Sequence, residues 1–257
     1  MIGIALIVAA SPVAVGAIDS LLPGVYTNEE QVEFAREADR PALPWVGVEI
    51  SREADGLHLR TVDASGVRGA EHQRIGIEGE GEGVRLTMGR CRRLFVISEG
   101  GSLTNSETSG QCDSPAALTG VSAEGLSMRL PDGRVLELLR ARPWRCWAAV
   151  PKQAAKADGS LDWWFKAGMP IHDRGGRLVV ETDEPEPQRY VLRMRNVIFP
   201  EPPNQPSLVL YVHGDDPVRA ISYSWADPEA RRLGLNLRRI QASCSLVAGP
   251  MREAAAK

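Results

Sequence analysis

The stretch Leu126-Ser127-Met128-Arg129-Leu130-Pro131-Asp132-Gly133-Arg134-Val135-Leu136-Glu137-Leu138 decides the fold class. On both sides of a Pro-Asp-Gly turn signal, apolar side chains alternate with polar ones, the pattern of strands with one dry and one wet face. A two-residue loop at Asp132-Gly133 would set Met128 opposite Glu137 on the dry face. A three-residue loop avoids that conflict. The register it predicts places Leu130 against Leu136 and Met128 against Leu138, in a bulged hairpin with Gly133 left-handed.

The same alternation extends in both directions. Towards the N-terminus it runs through Val46, Val48 and Ile50, through Leu57 and Leu59, and through Val84, Leu86 and Met88. Towards the C-terminus it runs through Tyr190, Leu192 and Met194, Leu208, Leu210 and Val212, Ile221, Tyr223 and Trp225, and Leu233, Leu235 and Leu237. Turn signals fall roughly every eight to twelve residues, so the chain reads as mainly β and antiparallel. One helix is expected near the start, because Thr27 and Asn28 precede Glu30 and Gln31 with capping spacing, and Pro41 and Pro44 end it by Ala42. Asp227-Pro228-Glu229-Ala230 reads as a single helical turn between strands.

The polar segment Pro151–Ser160 separates two β-rich halves, 18–150 and 151–257, with no change of composition between them. They form one continuous architecture or two packed barrels. Residues 1–17 read as a signal peptide cleaved after Ala17, since Ile2–Ala10 is apolar but short and Val15 and Ala17 are small. A periplasmic or secreted location follows. Cys91, Cys112, Cys146 and Cys244 then favour disulfides, and of the three possible connectivities Cys91 with Cys112 and Cys146 with Cys244 is the one favoured. In the chain-entropy view the longer closure contributes about 4 to 5 kcal/mol and the shorter about 3. No CxxC or Cys/His cluster argues for zinc.

A net charge of -3 leaves no basic excess for nucleic acid. The sequence has no GxSxG, HExxH, Walker or dinucleotide signature. Glu78, Glu80 and Glu82 lack the spacing of a calcium loop and read as a solvated hairpin. His58 is expected to be exposed. His172 beside Asp173, and His213 near Asp215 and Asp216, are the pairs a hydrolase would need, although both sit among turn residues. Trp144, Trp147, Trp163 and Trp164, near Arg140, Arg142 and Arg145, supply rings that wall a ligand pocket or fill a core.

Two segments carry a family resemblance. Gly24-Val25-Tyr26-Thr27-Asn28-Glu29-Glu30-Gln31 resembles the opening of the T-type phycobiliprotein chromophore lyases (the CpcT/CpeT group). Cys91-Arg92-Arg93-Leu94-Phe95 through Gly110-Gln111-Cys112, with Leu118-Thr119 and Trp147-Ala148, is similar to that family's Cys-to-Cys hairpin, threonine-containing strand and closing tryptophan. The resemblance covers Leu21 to Val150 and implies a calycin-like barrel with an elongated apolar molecule in its mouth. It also implies Tyr26, Asn28 and Gln31 on a helix near the opening, and structural roles for Cys91 and Cys112. Bilin lyases act in the cytoplasm, however, and Pro151–Lys257 has no counterpart in the resemblance.

The expectation is therefore an exported, non-enzymatic protein that needs no cofactor and binds a small hydrophobic ligand or an envelope protein. The candidate ligand-binding residues are Tyr26, Asn28, Gln31, Trp144, Trp147, Trp163 and Trp164. The alternatives are a lyase-like protein handling a tetrapyrrole, and a hydrolase built on a His/Asp turn.

Overall fold

The computed structural model describes residues 12–63, 67–80, 83–98, 102–112, 117–197, 206–216 and 218–247. The chain divides into two units. The first holds the chain up to Gln31, then Leu43–Asp63 and Arg68–Arg140; the second holds Val32–Ala42, Ala64–Val67 and everything from Ala141. The first eleven residues of the segment read as an export signal lie outside the described residues. Among the described residues, no helix is long and apolar enough to cross a membrane.

The first unit begins with α1 (Pro12–Leu21), β1 (Gly24–Thr27) and the start of α2 (Glu29–Glu37). Nine strands follow: β2 (Gly47–Glu53), β3 (Gly56–Val62), β4 (Arg68–Glu80), β5 (Gly83–Met88), β6 (Cys91–Ile97), β7 (Leu103–Gly110), β8 (Ala117–Val121), β9 (Gly125–Arg129) and β10 (Val135–Arg140). Each pairs antiparallel with the next, and β1 closes the ring by pairing with both β2 and β10, so ten strands make a closed barrel. The alternation explains the closure: Val48, Ile50, Leu57, Val84, Leu86, Phe95, Leu126, Leu136 and Leu138 all turn inward and are buried together. Tyr26, and Ile18 and Leu22 from α1 and its end, join the same cluster, so side chains fill the interior.

The hairpin read first from sequence is present, with a changed register. Leu136 faces Met128 and Leu138 faces Leu126, two residues away from the expected pairing. The Leu130 N–H donates to the Arg134 carbonyl at 2.8 Å, which fixes a three-residue loop, Pro131–Gly133, and Gly133 takes φ +87° as expected. A shift of two residues keeps every side chain on its face, so the sidedness of the hairpin survives the slip.

The second unit contains β11 (Pro143–Pro151), β12 (Trp163–His172), β13 (Arg174–Glu181), β14 (Arg189–Val197), β15 (Ser207–His213), β16 (Ala220–Ala226), β17 (Arg232–Asn236) and β18 (Gln241–Leu246). They form two four-stranded sheets, in the orders β12-β11-β18-β17 and β13-β14-β15-β16. Trp144, Cys146, Ala148 and Val150 of β11 share one core with Leu192, Met194, Leu208 and Leu210 from the other sheet. The expected junction at 150/151 therefore moves to Arg140/Ala141: among the described residues β11 pairs only with strands of the second unit, Pro151 is its last residue, and residues 152–160 lie in the loop between β11 and β12. Asp227–Ala230 is a hydrogen-bonded turn without helix; the Ala230 N–H donates to the Asp227 carbonyl at 2.9 Å.

Both expected cysteine pairs are joined, Cys91 to Cys112 and Cys146 to Cys244. Cys146 and Cys244 are directly opposed across β11 and β18. One strand expectation is inverted. Ile221, Tyr223 and Trp225 alternate as read, but they point outward, with 43, 63 and 69% of their surface exposed.

Candidate functional site

Period two sorts the residues of β11. Trp144, Cys146, Ala148 and Val150 point into the core, so Arg145, Trp147 and Ala149 point away from it. The ladder places Trp147 opposite Ser243 of β18, and Ser243 in turn opposite Gly234 of β17. Asn236 and Gln241 pair where the β17/β18 hairpin narrows. Together Trp147, Gly234, Leu235, Asn236, Gln241 and Ser243 line an open groove of about 290 Å³. A Cβ on Gly234 would come within 2.8 Å of the Ala242 carbonyl and 3.0 Å of Ser243, so only glycine lets the two strands approach and keeps the groove floor low.

Phe165 extends the wall. Its ring centroid lies 6.0 Å from that of Trp147 at an interplanar angle of 33°, and 62% of the residue is exposed. Half-buried Trp163 lies two residues before it on the same face of β12. Arg232 Nε donates to the Ser243 hydroxyl at 3.3 Å and orients it. The groove thus joins an aromatic ring to two amides and a hydroxyl, and among the described residues no carboxylate lines it.

The four candidate tryptophans do not make one wall. Trp147 lines the groove and Trp163 lies on the Phe165 side. Trp144 is fully buried in the core and closed to a ligand, and Trp164 packs, partly buried, against that core.

Tyr26, Asn28 and Gln31 are not gathered into one site; each bonds separately within the first unit. The Tyr26 hydroxyl donates to the Leu22 carbonyl at 2.8 Å, and the Arg140 guanidinium stands 5.7 Å from its ring centroid. Arg140 Nη1 also donates to the Leu21 carbonyl at 2.6 Å, placing a positive charge at the negative end of α1. Asn28 does not use its side chain to cap α2. Its Nδ2 donates to the Pro44 carbonyl at 2.9 Å and its Oδ1 accepts the Val46 N–H at 2.7 Å. Gln31 does the same on the other side of β1, where its Nε2 donates to the Val135 carbonyl at 2.9 Å and its Oε1 accepts the Glu137 N–H at 3.1 Å.

The His/Asp turns are likewise engaged internally. Asp173 is fully buried and accepts both the backbone N–H of Arg142, at 2.8 Å, and its guanidinium. His172 Nδ1 instead accepts the Arg174 N–H at 3.3 Å. Asp216 accepts the N–H groups of Val218 and Arg219 at 2.8 and 3.0 Å, which builds the turn before β16. His213 is buried; desolvation first, then the charges of Arg193 and Arg177, push its pKa down.

His58, expected to be exposed, is only 4% exposed, because it lies beneath the long polar side chains of β2 to β4 on the barrel's outer face. Its Nε2 stands 2.8 Å from Asp55, and ligand atoms of Glu53, Asp55 and His58 lie within 4.8 Å of one another. Glu53 is held by Arg60 at 2.8 Å, Glu49 by Arg68, and Asp55 lies in the field of Arg74. Each carboxylate already faces a guanidinium, so the cluster reads as a charge ladder across strands. Glu78 and Glu80 end β4, Glu80 pairs with Arg85, and Glu82 lies outside the described residues.

Sequence reasoning missed Asn236, Gln241 and Ser243. A polar residue alternating with Leu or Ala signals an outward face and nothing more. Comparison with protein-family models, curated proteins and solved structures finds no match.

Proposed function

We propose that the protein is an exported, non-enzymatic binding protein that holds a saccharide across the groove of Trp147, Asn236, Gln241 and Ser243. The observation that carries this reading is the chemistry of one open groove: a large ring beside uncharged amides and a hydroxyl. A sugar ring presents an apolar C–H face and a rim of hydroxyls, so it needs a flat aromatic surface and neutral groups that both donate and accept. An enclosed apolar ligand suits this surface poorly, because such ligands bury most of their area in concave sites. The barrel supports the same choice, since its interior is occupied by Phe95, Tyr26, Leu136 and their neighbours.

Export is supported by the apolar start of the chain and by two disulfides, which fit an oxidising compartment outside the cytoplasm. The test is calorimetric and fluorescence titration with chitotetraose, maltotetraose and soluble peptidoglycan fragments. At least one should bind and shift tryptophan emission, and Trp147→Ala should weaken it tenfold or more, on the order of 1.4 kcal/mol. Absence of binding by all three at millimolar concentration, or unchanged affinity in both Trp147→Ala and Gln241→Ala, sinks the reading.

A further inference from the structure

The edge of the second sheet is a different surface from the groove. β16, Ala220-Ile221-Ser222-Tyr223-Ser224-Trp225-Ala226, pairs with β15 on one side, and among the described residues no strand pairs with its other side. Edge strands are normally protected by charge, proline or brevity. This one has seven residues and carries neither charge nor proline. A bulge against β15 falls between Ala220 and Ser222 and leaves Ser222–Ala226 regular.

The strand reads nearly the same in both directions about Tyr223. We propose that β16 pairs antiparallel with β16 of a second copy of this chain about a two-fold axis through Tyr223, joining two four-stranded sheets into one of eight. A two-fold interface must be self-complementary, and this register is. Tyr223 meets the partner's Tyr223, Ser222 meets the partner's Ser224, and Ile221 meets the partner's Trp225, an aromatic against a β-branched side chain. Beyond the strand, Arg219 falls opposite the partner's Asp227, twice by symmetry. Both residues are exposed, and among the described residues neither has a salt-bridge partner at present. Shifting the axis to Ser224 would oppose Ile221 to the partner's Asp227 and lose the charge match.

One added strand pair buries a small area, so the dimer is a reversible one. Sedimentation velocity on the full chain from about 10 to 500 µM should show the mass rising from 27.9 kDa towards twice that value. Asp227→Arg should keep the chain monomeric by opposing two arginines, and Arg219→Asp combined with Asp227→Arg should restore the dimer. The Asp227 carboxylate also accepts the Glu229 N–H at 2.7 Å, so the single variant disturbs a turn; the double variant keeps that disturbance, and recovery there isolates the charge pairing. All four native cysteines are in disulfides, so Tyr223→Cys adds one thiol, on the axis, and should oxidise to a covalent dimer. A monomer at every concentration, or a dimer indifferent to both Asp227→Arg and Tyr223→Lys, overturns the proposal. Saccharide binding at Trp147 is read separately and survives or fails by itself.

Discussion

Gln31 is bonded to Val135 from 104 residues away, its amide donating to the Val135 carbonyl at 2.9 Å while it accepts from the Glu137 N–H. β1 has only four residues, too few to satisfy both neighbours along their length. Where the chain turns into α2, two side-chain amides continue its hydrogen bonding, Asn28 towards Pro44 and Val46 and Gln31 towards β10. The barrel seam is closed by backbone first and by amides after it.

Gln31→Glu keeps the shape and replaces the donor with an acceptor that faces a carbonyl. The Val135 carbonyl loses its partner and meets a negative charge, a loss of about 1 to 3 kcal/mol. Urea unfolding should show the midpoint falling without a change in slope. An unchanged midpoint would remove Gln31 from the seam.

Asp173 sits at the bend between β12 and β13, fully buried and bonded to the backbone and guanidinium of Arg142. Removing the carboxylate takes away the acceptor of the Arg142 N–H, while the part-exposed guanidinium keeps the Pro228 carbonyl, so the cost is about 1.5 to 3 kcal/mol. Asp173→Ala is expected to lose that much, while Asp216→Ala, at an exposed turn, should lose about 1 kcal/mol. Equal losses would mean that the bend does not depend on the Arg142 pairing.

The sheet pattern was legible because alternation is a local signal: Leu126, Met128, Leu136 and Leu138 announce a dry face wherever their partners lie. What alternation lacks is the sense of the face. Ile221, Tyr223 and Trp225 look like core and point to solvent, because the small Ser222 and Ser224 are the pair that fits beneath the sheet. Of three possible cysteine connectivities the one favoured from sequence is the one present, whereas the groove was not legible at all, since Trp147 and Asn236 are joined only by the register of three strands. The helix start was placed correctly from a capping pattern, yet Asn28 spends its side chain on the barrel, a long-range role that spacing cannot encode.

The two disulfides should differ in worth. Cys146–Cys244 closes a separation of 98 residues and Cys91–Cys112 one of 21, so the chain-entropy difference favours the former by about 1 kcal/mol. Paired Cys→Ser variants compared by thermal unfolding should rank in that order. The reverse order would indicate that native packing around Cys91 outweighs loop closure.

His213 supplies a dependence on pH. The residue is 4% exposed, and burial, followed by the positive field of Arg193 and Arg177, keeps its folded pKa below the ordinary value. The unfolded chain therefore takes up a proton first, as pH falls through about 6.5. From there down to the folded pKa the unfolded state holds more protons, so this contribution is complete above about pH 6.5 and is lost progressively as pH drops. Glu33 acts lower on the scale: burial opposes its charge, but Arg195, Arg193 and Arg36 together hold its pKa down, so its contribution is present above the ordinary carboxylate range and is lost only as pH falls through the depressed value. His213→Gln should flatten the stability profile immediately below about pH 6.5 while leaving the more acidic loss in place. Urea midpoints across that range measure it, and a variant with the parent's slope would show that another group carries the transition.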